Sequence, residues 1–361
     1  MPYDFDLADV LIFSDDPEAL SAVPRPSPVH VTTPTNAIIY EVQVGPGRKR
    51  VLYYHQNFDP TARTLGVRIV NLGASPVTPR VIAYIEPPAR DIVGVGHRSA
   101  AGFLRTLIAG AWAPLELQPV GRPRDDALVA VSQVGSGQLA SAFVELDVPP
   151  GSQLKVQVLT AASAAMLSSV GANGPAPGLG DGIGRSGVFD LTRGGTVHGD
   201  YDRLDWDVDE DPLEILIPDP TPFPNAKVPH TAAGRNPSEA VYGLFTRRTV
   251  TLSNSGATDV VAGVYAQACG GNSPGTCMFN GTIVELGTMT SGEAATRPGY
   301  EIGSVTVPAH DDGTTRIDVL GTVDPSGKSP LKIVVARKGA LPSPASTKQV
   351  VFLPGGAPWT A

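Results

Sequence analysis

Apolar and polar residues alternate with a period of two along most of the chain, separated by turn-forming residues. Ala37–Gly45 alternates, Gly45-Pro46-Gly47 turns, and Arg50–Asn57 returns. Thr64–Leu72 sets Leu65, Val67 and Ile69 against small or polar partners, and Pro79–Glu86 sets Val81, Ala83 and Ile85 on one side. A period of two is what a half-buried strand requires. Pro87-Pro88 is expected to end that last strand, because two prolines cannot continue a ladder. Further strands are expected at Pro114–Val120, Ala127–Val134, Gln138–Leu146 and Ser152–Thr160. The second half adds Tyr242–Ser253, Asp259–Gln267, Thr282–Gly287, Glu301–Val307, Thr314–Gly321, Leu331–Arg337 and Gln349–Leu353. One stretch breaks the pattern. In Val95–Ala109 the residues Phe103, Leu104, Leu107 and Ile108 recur at helical spacing, predicting a short helix that ends near Gly110 and caps one end of the first sandwich.

Strands at this spacing predict an all-β chain of two β-sandwich domains with one short helix in the first. The boundaries read as an N-terminal extension over 1–27, a first sandwich over 28–165, a Gly/Pro-rich linker over 166–187 and a second sandwich over 188–361. Residues 218–240 hold six prolines and read as an extended excursion. VRIVNLGAS and VTLSNSGAT share a strand ending in Asn and a small-residue turn, which is either an internal repeat or common hairpin chemistry.

Composition supports turns rather than disorder. Glycines (40) and prolines (35) are spread between apolar runs, and hydrophobic residues make 42% of the 361. The net charge of −8 offers no basic footprint for nucleic acid. No run of about 18 apolar residues exists to span a membrane. Arg outnumbers Lys, which with the Ala, Gly and Pro content suggests a GC-rich bacterial source.

Cys269 and Cys277 bracket seven turn-forming residues, CGGNSPGTC. If the flanking runs pair, the loop brings the sulfurs within disulfide reach, which would imply an oxidising compartment; two buried thiols are the alternative. Asp205, Asp207 and Asp209 alternate in DWDVDED. On a strand they would share a face and suit Ca²⁺, or else form a solvated acidic edge. No other cofactor is implied. The segment is not an EF-hand loop, since Glu210 and Leu216 stand where Gly and Glu are needed. Tyr54, His55 and His97 form a possible ligand site if the helix meets the YYHQN strand; two histidines bonded to backbone or exposed to solvent are the blander alternative. GLGDGIG at 178–184 lacks the strand and helix of a nucleotide loop, and Gly327-Lys328-Ser329 reads as a hairpin turn. Asn280-Gly281-Thr282 fits a glycosylation sequon. No GxSxG is present. Trp112, Trp206 and Trp359 are dispersed, with no evident sugar platform.

VLIFSDDPEAL, RVLYYHQNFDPTARTLGVRIVNLGASPVTPRV, VGHRSAAGFL and AVYGLFTRRTVTLSNSG together resemble uncharacterised bacterial secreted or cell-surface tandem β-sandwich proteins. The resemblance is in patches and covers about half the chain. It implies export and a surface location and carries over no catalytic residue. Met1–Asp16 has five aspartates and no basic residue, unlike a signal peptide. The expected function is a non-catalytic exported or cell-surface protein that binds an envelope component or a protein partner. The alternatives are a secreted carbohydrate-active hydrolase and a structural subunit of a capsid, sheath or filament.

Overall fold

The structure, a computed structural model, describes residues 8–15, 18–23, 32–171, 187–190, 204–217, 243, 245–269, 271, 273–291, 296–323 and 331–344. The chain is all-β and divides into two compact units. The first contains β1 (Val10–Ser14), β2 (Ala19–Leu20), β3 (Ala37–Val44), β4 (Gly47–Asn57), β5 (Arg63–Asn71), β6 (Arg80–Ala89), α1 (Ile92–Ala109), β7 (Ala113–Pro114), β8 (Asp126–Val134), β9 (Leu139–Val148), β10 (Leu154–Ala161), α2 (Ala164–Leu167) and β11 (Gly187–Asp190). The second contains β12 (Leu204–Asp207), β13 (Leu213–Ile217), β14 (Phe245–Asn254), β15 (Val260–Ala268), β16 (Ser273–Phe279), β17 (Thr282–Met289), β18 (Tyr300–Val307), β19 (Asp311–Val323) and β20 (Leu331–Arg337). Among the described residues no helix is long and apolar enough to cross a membrane. The glycine-rich 178–184, the Gly327-Lys328-Ser329 turn, the 218–240 excursion, the 349–353 strand and residues 172–186 of the expected 166–187 linker lie outside the described residues, while Leu167 and Val170 at the start of that linker pack into the first unit.

Each unit is a sandwich of two sheets with inward side chains from both in one apolar cluster. In the first, Val51, Tyr53, Val144 and Leu146 from one sheet meet Leu65, Val67, Val156 and Val158 from the other. In the second, Val250, Leu252, Ile317 and Val319 meet Val264, Ile333 and Val335. This face-to-face burial of alternate residues is what the period of two in the sequence encodes.

The two sandwiches are wired identically. The larger sheet runs β1-β4-β9-β6-β7 in the first unit and β12-β14-β19-β16-β17 in the second; β11 and the short β2 are additions to the first. In both sheets the opening pair is parallel, β1 with β4 and β12 with β14, and the later pairs are antiparallel. The smaller sheet runs β3-β10-β5-β8 in one and β13-β20-β15-β18 in the other. Equivalent strands also follow the same chain order. β1 and β2 fall in the stretch expected to be an extension, yet they pair with β4 and extend its sheet.

Side chains repeat with the topology. Asn57 closes β4: its Nδ2 donates to the carbonyls of Thr61 (2.8 Å) and Val134 (2.9 Å), and its Oδ1 accepts from Asp59 N–H (2.9 Å). Asn254 closes β14 with the same set, donating to Thr258 O (2.9 Å) and Val307 O (3.2 Å) and accepting from Gly256 N–H (3.0 Å). Val134 and Val307 end the equivalent strands β8 and β18. Each Asn satisfies backbone groups that the chain frees as it leaves one sheet. The VRIVNLGAS–VTLSNSGAT likeness therefore pairs non-equivalent strands. Asn71 ends β5 with the same local turn, bonding Ser75 O and Gly73 N–H, but the topological counterpart of Asn254 is Asn57.

Several expectations are corrected. The predicted strand over 114–120 is reduced to β7 and an isolated bridge from Leu117 to Val77. β6 runs through Pro87-Pro88 to Ala89; the ladder to β9 shifts between Glu86 and Ala89, so no N–H is demanded of either proline. SPGTCMF, read as the end of a loop, is β16. Its Pro274 sits at a register shift between Ser273 and Gly275.

α1 is longer than its periodic core and does not cap the sandwich end. It lies on the outer face of the large sheet, against β6 and β9. Asp91 caps it by accepting from Gly94 N–H (2.9 Å), and Gly110, in the left-handed region at φ 63°, ends it. The Phe103 ring stacks on Phe143 of β9 at 4.8 Å between centroids. Gly102 lets the helix approach β6, since a Cβ there would fall 2.1 Å from Tyr84 Cζ. The Tyr84 hydroxyl donates to Glu86 (2.9 Å), and burial with that carboxylate pushes its pKa up to about 12.

Equivalence of the strand-end asparagines makes a symmetric prediction. Asn57→Ala and Asn254→Ala should each destabilise their own sandwich by about 2 kcal/mol, because both leave buried carbonyls unsatisfied. Hydrogen exchange resolved by residue checks this: protection should fall in β4, β5 and β8 for the first variant and in β14, β15 and β18 for the second.

Candidate functional site

On the outer face of the first sandwich, even-numbered residues of β4 line up with β9 and β6. Arg50 faces Glu145, which faces Ile82; Arg48 faces Asp147, which faces Arg80. Arg50 Nε (3.0 Å) and Nη2 (2.7 Å) both donate to Glu145 Oε2. The pair is buried, with side-chain exposures of 1% and 0%. Phe103 of α1 covers it, its centroid 5.3 Å from the Arg50 guanidinium carbon. The other Glu145 oxygen lies 3.6 Å from Arg48 Nη1.

The next row emerges into solvent. Arg80 Nε (3.2 Å) and Nη2 (2.7 Å) converge on a single oxygen, Asp147 Oδ2, and the Arg80 side chain is 54% exposed. Here the chain leaving α1 returns to the sheet. Just past Gly110 it sets the half-buried Trp112 indole 4.8 Å from the Arg48 guanidinium carbon and 5.4 Å from that of Arg80. Cation–π attraction holds both guanidinium groups against the ring. An aromatic surface, two guanidinium forks and a carboxylate thus come together from β4, β6, β9 and the α1–β7 connection.

Among the described residues the second sandwich has no counterpart of this site. The connection equivalent to α1 and Trp112 is the β16–β17 hairpin, whose turn is Asn280-Gly281 with positive φ at both residues (46° and 85°). Asn280 Oδ1 accepts from Asp318 N–H (2.8 Å), which gives the sequon residue a structural part.

Tyr54 donates from its hydroxyl to Ile92 O at the start of α1 (3.2 Å), and His97 is buried on the same helix. His55 belongs to the other face. It stacks beside Tyr53 (6.4 Å), whose hydroxyl crosses the sandwich to Ala130 O (2.9 Å), and it pairs with Ser14 Oγ through Nε2 (3.0 Å). At the spacing set by the paired asparagines, the residue matching His55 in β14 is Leu252, a core side chain. Alternation along β4 therefore separates His55 from Tyr54 and the helix.

Among the described residues no three His, Cys, Asp or Glu side chains are grouped to hold a metal ion. Asp205 is exposed on β12. Asp207 accepts from Asp209 N–H (2.9 Å) and Ser253 Oγ (2.7 Å), which together hold its carboxyl below the usual carboxylate range. Asp209 pairs with Arg337.

The expected disulfide is absent: Cys269 and Cys277 are not bonded to each other. Their strands do not form a hairpin, because β15 and β16 belong to different sheets. Cys277 points into the core from the middle of β16, four residues past its start, roughly 13 Å along the strand. Cys269 stays at the rim just beyond β15, with Arg297 Nη1 3.1 Å from its sulfur. Burial pushes the Cys269 thiol up, partly offset by Arg297 and Lys332.

No family model matches the chain, and no curated protein matches it. Among solved structures it is similar to the N-terminal CBM22-1-CBM22-2 tandem domain from Paenibacillus barcinonensis Xyn10C, at 10% identity over 79% of this chain and 82% of that one, with a TM-score of 0.15. It is also similar to vicilin from Solanum lycopersicum (tomato), at 9% identity over 83% of this chain and 74% of that one, with a TM-score of 0.12. At such TM-scores neither likeness bears on the site.

The cysteine arrangement predicts a labelling pattern. Reduction should leave the intact mass unchanged. Alkylation of the native protein should modify Cys269 first, at a rate that climbs only above the ordinary thiol range near pH ~8.5, while Cys277 reacts on unfolding. Peptide mass spectrometry across a pH series checks both.

Proposed function

We propose that the protein is a non-catalytic binding protein that works at the cell surface and docks an envelope component or a protein partner through the face around Trp112. The observation that carries this is the difference between two otherwise equivalent sandwiches. The second joins β16 to β17 by a tight hairpin. The first spends the same connection on an 18-residue helix and a return that sets Trp112 between Arg48 and Arg80. Binding residues gather on loops that a rigid scaffold positions. Aromatic and Arg side chains are the types most enriched where proteins bind partners. Arg50, Glu145 and Phe103 below the site fix its floor, so an occupant meets a pre-organised surface and less ordering cost opposes binding.

Cosedimentation with bacterial cell-envelope preparations tests the proposal. The wild-type protein should pellet with envelopes, and Trp112→Ala should weaken this about tenfold, the order of a hot-spot aromatic. Lys338→Ala, on the surface of the second sandwich, should pellet like wild type. Circular dichroism should show both variants folded. Failure of the wild type to pellet, or equal pelleting of Trp112→Ala, overturns the proposal.

A further inference from the structure

We infer that Asn280 is the acceptor of an N-linked saccharide, attached through its side-chain nitrogen at the tip of the β16–β17 hairpin. This modification belongs to the second sandwich. It shares with the binding role proposed above only the passage of the chain out of the cell.

Sequence narrows the choice to one residue. Of the nine asparagines, Asn280 alone is followed by a residue other than proline and then by Ser or Thr. Asn236-Pro237-Ser238 has the hydroxyl but fails at its proline. The motif carries meaning only on a reachable surface loop. Asn280 and Thr282 are both exposed, on either side of the hairpin turn. Turn chemistry accounts for the Asn-Gly pair, whose residues both have positive φ, but it asks for no hydroxyl at 282.

The fold also fixes which end of the amide is available. Asp318 N–H donates to Asn280 Oδ1 (2.8 Å). A backbone N–H can meet only the oxygen of a carboxamide, so the nitrogen is the end left over. It makes no hydrogen bond among the described residues, and neither does the Thr282 hydroxyl. The strand-end asparagines are the opposite case: Nδ2 of Asn57, Asn71 and Asn254 is spent on backbone carbonyls. In the transfer, the Asn280 nitrogen bonds to the anomeric carbon of a saccharide activated as a diphosphate ester. The bond from that carbon to the phosphate oxygen breaks, the diphosphate leaves with the electron pair, and one amide proton passes to a base of the transferase. Oδ1 takes no part, so the bond from Asp318 N–H survives. β17 ends the order of its sheet among the described residues. A bulky, solvated group at its first turn bars a second chain from pairing with that edge.

Peptide mass spectrometry of the protein recovered from the cells that make it tests the assignment. The peptide holding Asn280 should carry a saccharide mass, and fragmentation should place it on residue 280. Thr282→Ser keeps the hydroxyl and should keep the modification. Thr282→Ala should abolish it while the thermal melt stays as in wild type, because an exposed side chain outside any bond is removed. An unmodified Asn280 in the wild type, a saccharide on Thr282 in place of Asn280, or a modification that persists in Thr282→Ala overturns the inference. Envelope pelleting by a protein unmodified at Asn280 would remove the saccharide and keep the binding role. A modified Asn280 in a protein that fails to pellet would keep the acceptor and remove the binding role.

Discussion

Burying a guanidinium and a carboxylate on one sheet face is the constraint from which the rest of the first sandwich follows. Taking Arg50 and Glu145 out of water costs several kcal/mol for each ion, and only close, correctly aimed hydrogen bonds offset that. β4 and β9 meet the need by placing the two directly opposite each other, with two donors on one oxygen. Phe103 then excludes water from above, which ties the position of α1 to the pair. The second sandwich keeps the chemistry. Arg247 stands as far before Asn254 as Arg50 does before Asn57, and its Nη2 donates to Asp318 on the equivalent strand β19 (2.7 Å). A cross-strand Arg–carboxylate pair and a strand-end Asn are thus two polar features that both sandwiches share.

The period of two carried most of the architecture into the sequence. β8, β14, β15, β18 and β20 lie within a few residues of the alternating runs that predict them, because each buries alternate residues in its sandwich. The helix was legible for the same kind of reason, since Phe103, Leu104 and Leu107 face the sheet. What sequence hid was strand formation by residues that favour turns. Ser273-Pro274-Gly275-Thr276 enters β16 because both of its neighbours, β17 and β19, are in place to pair with it. Tertiary context overrode local propensity there, as it commonly does in sheets. The disulfide expectation fell with that one strand, because it needed those residues to be a loop.

The site was nearly illegible, and the reason is geometric. Arg48, Arg80, Trp112 and Asp147 are far apart in the chain and become neighbours only through the β4-β9-β6 order of the sheet. The sequence did hold one usable signal. Gly110 ends the helix, so the large aromatic residue two positions later had to return across the strands the helix covers. Dispersal of the three tryptophans argued against a platform, but one indole flanked by two guanidinium groups needs no second aromatic. Tyr54, His55 and His97 show the opposite error. Closeness in the chain suggested a cluster, while the pleat sends Tyr54 to the helix side and His55 to the interior.

The shared topology sharpens what these placements mean. When two copies share strand order, pairing sense, the Arg–carboxylate pair and the strand-end Asn, those features belong to the scaffold. Features present in one copy alone are then the places to look for function. His55 is such a difference, but its equivalent Leu252 is a core residue and its partner Ser14 is a neighbour in the same sandwich, so a local exchange of packing for a hydrogen bond accounts for it. The α1–Trp112 excursion is a difference of another kind. A tight Asn-Gly turn would join β6 to β7 as it joins β16 to β17, so nothing in the scaffold demands the longer path. Its cost in ordered residues needs a return outside the fold, and what it adds over the sheet is the half-buried indole set against Arg48 and Arg80.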